Sequence, residues 1–263
     1  MECVDVPGLE RALGMKVCQL CAVDFTLKRF LLPLINGMQA IGWDVTSVCS
    51  DGEEIYGLRS RGYQIDTIPV ARSFNPWLSL RSLIDLTFYF RQQSFDVVHV
   101  HTPVAALIGR IAAKLAGVPL VVYTAHGFYF HEYMPRWKYL FFVGLEKFAG
   151  LFTDLLFCQS EEDASTAITD LSFPVSRVYA IGNGVDVDRF DPSRVGNRDL
   201  IRCKLGIPSD AFVVGLIARQ VREKGIGEFL DAMISLSARH VNLFVLLVGE
   251  RLPTDHDHSV SSK

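Results

Sequence analysis

Two stretches of this chain carry side chains suited to chemistry on a sugar or a phosphate. The first is Gly215-Leu216-Ile217-Ala218-Arg219-Gln220-Val221-Arg222-Glu223-Lys224-Gly225. It sets three cations between the end of an apolar run that reads as a buried strand and the start of a helical pattern. Backbone N–H groups and the helix dipole already favour an anion at such a place, so a loop of this kind suits a diphosphate. The plainer reading is a solvated charged turn. The second stretch is Tyr123-Thr124-Ala125-His126-Gly127-Phe128-Tyr129-Phe130-His131-Glu132. A histidine followed by glycine at the carboxyl end of a strand pattern lies where open α/β sheets take their ligands, with backbone that can be approached closely. His126 can donate a hydrogen bond there to a sugar or phosphate oxygen, and Phe128 and Tyr129 offer faces to a saccharide or lipid. A satisfied histidine beside ordinary packing aromatics is the alternative.

Other chemistries fit less well. His99 and His101 are two apart at a strand end and share one face; with His126 and His131 they suggest a metal, but spacing fixes no acidic or cysteine ligand, and no metal is predicted. Cys18 and Cys21 form C-x-x-C inside an apolar strand pattern, where positions three apart face opposite ways, so neither zinc nor redox work is expected of them. Ala22-Val23-Asp24-Phe25-Thr26 follows the first strand where a dinucleotide enzyme would want G-x-G-x-x-G. Gly182-Asn183-Gly184 supplies only two of those glycines and comes after the last strand of its domain. There is also no G-x-S-x-G elbow or Walker A sequence, and no cofactor is predicted. With 26 basic and 29 acidic residues the net charge is −3, which gives no basic field for nucleic acid.

These residues need a scaffold, and the pattern supplies one. At roughly 150 residues per domain, 263 residues are more than one ordinary domain and fewer than two. From Met15 onward short β-branched runs alternate with helical patterns, the mark of a parallel sheet with helices on both faces. Strands are expected at 16–22, 44–49, 64–69, 97–100, 120–124, 155–158 and 178–181, and helices near 27–41, 53–61, 78–93, 104–116, 136–151 and 161–170. Gly42 and Gly117 sit where C-caps belong, and Ser160 before Glu161-Glu162-Asp163 is an N-cap with a dipole-matched acidic turn. This gives a doubly wound domain over 15–184 after an extension at 1–14. A polar linker over 185–210 follows, then a partial second domain over 211–250 (strands at 212–217 and 241–248, a helix near 225–239) and a tail at 251–263. The second region thus looks cut short.

Six scattered cysteines fit reduced thiols in a cytosolic protein better than a secreted disulfide framework. The N-terminus carries Glu2, Asp5 and Glu10 and fails as a signal peptide. The longest apolar segment, 139–157, is interrupted by Glu146, Lys147 and Asp154, so no membrane-spanning helix is expected. Residues 136–148 nevertheless combine bulky apolar side chains with Arg136, Lys138 and Lys147, as helices lying on a membrane surface do. Burial within the domain is the competing reading. The expected location is cytoplasmic, with peripheral contact at the inner face of the membrane.

Taken together, R-x-x-x-E-K-G from Arg219 to Gly225, Ile181-Gly182-Asn183-Gly184-Val185-Asp186, His126-Gly127 and Ser160-Glu161-Glu162-Asp163 resemble the family 4 glycosyltransferases of the GT-B fold. Asp96-Val97-Val98-His99-Val100-His101-Thr102-Pro103 and the stretch from Tyr123 to Glu132 look like bacterial members that assemble exopolysaccharide or capsule. The resemblance runs from about Met15 to Arg251. It implies transfer of a sugar from a nucleotide-sugar donor to a saccharide or lipid-linked saccharide acceptor, with retention of configuration and without a catalytic metal. It implies an N-terminal acceptor domain and a C-terminal donor domain with the reaction in the cleft, Arg219 and Lys224 on the donor diphosphate, and His126 against the transferred sugar. Asp24, Thr26, His101, Gly127, Phe128, Tyr129 and His131 are the further acceptor or cleft candidates. Asp24-Phe25-Thr26-Leu27-Lys28 stands where the family often has a glycine-rich turn, and the family's E-x7-E element should follow after Val248. The expectation is therefore a transferase chain lacking much of its donor site, with its activity alone left open. A non-catalytic acceptor-binding or partner module is the alternative. A nucleotide-sugar 2-epimerase of similar fold is a further one, which the R-x-x-x-E-K-G loop matches less well.

Overall fold

Strands apolar on both sides must be covered on both faces, and parallel sheets meet that need by placing a helix in every crossover. The computed structural model describes residues 14–71, 75–131, 133–239 and 242–250. The predicted extension, Gly14 excepted, and the predicted tail lie outside them. The chain divides into two compact units, Met1–Gly184 and Val185–Lys263.

In the first unit β1 (Lys16–Leu20) is followed by α1 (Asp24–Thr26), a π-helical segment (Leu27–Leu31) and α2 (Leu32–Ala40). Then come β2 (Asp44–Cys49), α3 (Glu54–Ser60), β3 (Gln64–Thr67), α4 (Pro76–Gln93), β4 (Val97–His101) and α5 (Pro103–Ala116). The unit closes with β5 (Leu120–Ala125), α6 (Arg136–Gly150), β6 (Leu155–Cys158), α7 (Glu161–Thr169) and β7 (Val178–Ala180). The strands pair in parallel in the order β3-β2-β1-β4-β5-β6-β7. The chain runs outward from β1 to β3 and returns past β1 to β4, so the order reverses between β1 and β4. Ligand crevices of doubly wound sheets open at the carboxyl ends of the strands at such a reversal.

Alternation along the strands divides the core in two. On one face Val17, Cys21, Val97 and Val122 pack against Leu31 and Ile35 before and within α2, and Ile55 and Leu58 of α3. On the other, Cys18, Val98 and Val121 meet Leu86 and Phe90 of α4, Ala112 of α5, Val143 of α6 and Ala167 of α7. Cys18 and Cys21 thus lie on opposite faces, and the described cysteines are free thiols. Gly109 lets α5 approach β1 and β4: a Cβ there would collide with the side chains of Leu20 and Val100.

The helix expected at 27–41 starts earlier and is not uniform. Asp24 opens it, and Leu27–Leu31 is wound as a π-helix immediately ahead of Pro33. Proline has no N–H for the carbonyl one turn back and its ring crowds that carbonyl, so the turn widens there. Gly42 and Gly117 hold φ of 88° and 82°, and Ser160 accepts from the Asp163 amide as an N-cap.

In the second unit β8 (Phe212–Ile217) and β9 (Leu243–Val248) pair in parallel, joined through α9 (Ile226–Ser237). The stretch read as a polar linker contains a helix, α8 (Arg198–Lys204), whose N-cap Asn197 accepts from the Asp199 amide. Its cues are small: one capping Asn, an acid in the first turn, and Arg202 and Lys204 in the last.

Candidate functional site

The site in the first unit begins at the carboxyl end of β5. Ala125 ends the strand, and Gly127 at φ 96° turns the chain away, a conformation glycine adopts without a Cβ clash. His126 is left exposed at the mouth. Its Nε2 lies 3.3 Å from His101 Nδ1, and its Nδ1 lies 2.6 Å from Gln159 Nε2.

Behind His126 the contacts run inward. Register sets Gln19 beside His99, and His101 beside Thr124, while the period of two points Gln19, His99 and His101 to one face. His101 Nε2 is 2.8 Å from Gln19 Oε1, Gln19 Nε2 is 3.4 Å from His99 Nδ1, and His99 Nε2 is 2.7 Å from Thr124 Oγ1. Gln19, His99, His101 and Thr124 are all buried, so each polar group needs the partner it has. Loss of water holds His99 down at about 3 and His101 well below the usual histidine range, with the neighbouring histidines adding to both. Partial burial also lowers His126, against an opposing hydrogen bond from Gln159. The three imidazoles are therefore neutral at neutral pH.

The other candidates separate into groups. Asp24 is already engaged: one carboxylate oxygen accepts from the Phe25 amide at 2.8 Å and the other from the Glu54 amide at 3.0 Å, and Gly52 passes so close that a Cβ would collide with it. It ties the loop after β1 to the start of α3, while Thr26, half-buried, sits two residues on. Phe128 stacks on the buried Phe130 at 5.3 Å, and Phe130 meets Tyr139 edge-on. Those rings serve packing first. Tyr129 is exposed, 4.6 Å from the Phe142 ring, and lines a shallow, mostly apolar dip with Pro103, Leu107, Phe130, Phe142, Leu145 and Glu146. His131 is exposed with its ring 6.2 Å from Tyr133.

In the second unit the chain leaves β8 through Ala218 and Arg219, and a 3-10 turn, Arg222–Lys224, leads to Gly225 at φ 68°, the N-cap of α9. Arg219 and Lys224 are exposed. Gly225, the N-cap of α9, has no side chain to accept from the first turn, and the first-turn N–H groups and the two cations favour an anion by dipole and by charge. Among the described residues no three His, Cys, Asp or Glu side chains are grouped to hold a metal ion.

Several residues escaped the sequence reading. Gln19 was legible as the one uncharged polar side chain in the apolar run Val17–Ala22, but its partners required the register. Thr102 follows His101 at φ 65° and ψ 137°, and its buried Oγ1 has no hydrogen-bond partner. Such backbone costs a β-branched residue about 1–3 kcal/mol, and no spacing rule announces it. Gln159 had no signal at all.

The chain is similar to several known proteins. The UDP-Gal:alpha-D-GlcNAc-diphosphoundecaprenol alpha-1,3-galactosyltransferase of Escherichia coli is 29% identical over 214 residues, 77% of this chain and 55% of that protein. The capsular polysaccharide biosynthesis glycosyltransferase CapM of Staphylococcus aureus is 26% identical over 226 residues, covering 83% and 58%. This chain thus spans little more than half the length of these relatives. Among solved structures, a glycosyltransferase from Rickettsia africae ESF-5 superposes with a TM-score of 0.69 at 18% identity, covering 90% of this chain and 60% of the other. That likeness supports the expected α/β, GT-B-like fold class. Residues 27–189, which include His99, His101, Thr124, His126 and Gln159, match Glycosyltransferase Family 4. By that match across most of its length, the chain belongs to glycosyltransferase family 4.

Proposed function

We propose that this chain transfers a sugar from a nucleotide-sugar donor to a saccharide or lipid-linked saccharide in polysaccharide assembly, with retention of configuration. The first unit receives the acceptor at the mouth beside His126, and the β8–α9 loop of the second holds the donor diphosphate on Arg219 and Lys224. The observation that carries this reading is the neutral, hydrogen-bonded His126 at the sheet mouth, inside the segment that matches the family. A neutral imidazole can contact an uncharged sugar without the cost of burying an ion. The family match favours a transferase over a nucleotide-sugar 2-epimerase.

The test is transfer of label from a panel of nucleotide sugars into saccharide and lipid-linked acceptors. His126→Ala should lower turnover by about 10²-fold if it touches the reacting sugar, the usual scale for a group that contacts the reacting centre. Acceptor binding with no turnover by the wild-type chain would favour the binding module.

Helix α6 supports a membrane-surface reading of the same site. Only Val143 and Ala149 of its residues are buried, which argues against a helix enclosed by the domain. Trp137, Leu140, Phe141 and Phe148 are each more than half exposed and fall on one face by their spacing, with Arg136, Lys138 and Lys147 beside them. No helix among the described residues is long and apolar enough to cross a membrane, but this face suits an anionic lipid surface that presents a lipid-linked acceptor. Co-sedimentation with anionic liposomes at low salt should be strong for the wild type and weaker by about tenfold or more for Trp137→Ser with Phe141→Ser, each aromatic being worth about 1.5–3 kcal/mol when buried. Equal sedimentation of the two chains would exclude the helix as the contact.

A further inference from the structure

The relay behind His126 has a direction, and Gln19 sets it. Gln19 Nε2 lies 3.2 Å from Met38 Sδ and 3.4 Å from His99 Nδ1, while its Oε1 lies 2.8 Å from His101 Nε2. A thioether sulfur accepts and never donates, so the amide NH2 faces Met38 and His99, and the carbonyl faces His101. Every other proton follows from that orientation. His101 donates from Nε2 to Gln19 and keeps a lone pair on Nδ1, which accepts from His126 Nε2–H. His126 then keeps a lone pair on Nδ1, where the Gln159 amide donates. Beyond Gln19 the sense is the same: its NH2 donates to His99 Nδ1, and His99 Nε2–H donates to Thr124 Oγ1.

We propose that Gln19, oriented by Met38 and acting through His101, is a positioning residue that fixes His126 as the Nε2–H tautomer, so that His126 presents an acceptor to its ligand. A group that replaces the Gln159 amide on that nitrogen must itself donate. A sugar hydroxyl does so; an ionised phosphate oxygen does not. This reverses the role expected from the sequence, in which His126 donates to an oxygen. The ligand half of the inference rests on the acceptor-site reading above, whereas the tautomer does not.

Long-range 1H–15N correlation spectra of the full chain labelled with 15N-histidine, at neutral pH, test it directly. His126 is assigned by the signal that a folded His126→Gln chain lacks while the other histidine signals stay in place. The expected wild-type result is one dominant Nε2–H tautomer at His126; a dominant Nδ1–H tautomer or an imidazolium overturns the proposal. Gln19→Leu removes the carbonyl that orders His101 and should let His126 populate both tautomers. Gln19→Glu keeps an acceptor facing His101 and should preserve Nε2–H at His126 while His99 moves its proton to Nδ1. An unchanged His126 in Gln19→Leu would show that Gln19 does not set the tautomer. Millimolar inorganic phosphate should leave the His126 signals in place, and conversion to imidazolium by phosphate would overturn the hydroxyl assignment. The expected tautomer in a chain that transfers no sugar would sink the transferase reading and leave the relay standing.

Discussion

Glu146→Ala is expected to destabilise the first unit by about 3–5 kcal/mol, the range for removing one partner of a buried ion pair. The partner left behind is Arg110, whose side chain is wholly enclosed between α5 and the sheet. Its Nη2 reaches Glu146 Oε2 at 2.9 Å, its Nε donates to the Ala106 carbonyl at 3.0 Å, and the guanidinium lies 4.2 Å from the Tyr123 ring centre. Nη1 already lacks a partner. Without Glu146 the charge would keep one backbone acceptor and a ring face, with no anion to offset its lost hydration. At 2–4 °C per kcal/mol for domains of this size, the melting temperature should fall on the order of 10 °C. Pairing Arg110→Met with Glu146→Leu should recover most of that loss, because removing both charges removes the penalty along with the attraction. Thermal denaturation of the three chains reads this, and a change under 1 kcal/mol in Glu146→Ala would mean water reaches the guanidinium.

The second large effect falls on activity. Lys224→Ala, and separately Arg219→Ala, should lower kcat by about 10²–10³-fold, the scale for removing one preorganised group from charge that develops in a transition state. Lys224 is exposed, so the melting temperature of Lys224→Ala should not move. Lys224→Arg should keep part of the rate, since the charge stays while its geometry changes. An unchanged kcat in Lys224→Ala with a raised KM would mean that the cation binds donor and transition state alike.

The elements were more legible than the site. Asp44–Cys49, Leu155–Cys158 and Phe212–Ile217 follow from β-branched and apolar runs with clear ends, and the structure places strands over those same residues. The π segment before Pro33 was not read, because a continuous apolar period conceals one widened turn. The helix at Arg198–Lys204 was passed over in a stretch whose prolines and glycines signalled only turns. At the site, His126 stood out as a histidine before a glycine at a strand end, and His101 through its alternation with His99. That the two meet, and that Gln19 joins them, depends on β1, β4 and β5 being neighbours in a particular register, which no local pattern specifies. Asp24 was conspicuous for its charge, yet its carboxylate is spent on the Phe25 and Glu54 amides. Arg110 went unread because a lone cation in a helical pattern looks like any solvated one.

The central claim is sugar transfer that needs both His126 in the first unit and the cationic loop in the second. Label transfer from a nucleotide sugar to a lipid-linked saccharide, with the anomer of the product read by NMR, tests it most directly. The account predicts incorporation by the wild-type chain with the donor's anomeric configuration kept, and loss of incorporation in His126→Ala and in Lys224→Ala, the latter at unchanged melting temperature. Incorporation that survives both substitutions, or a product of inverted configuration, would contradict it.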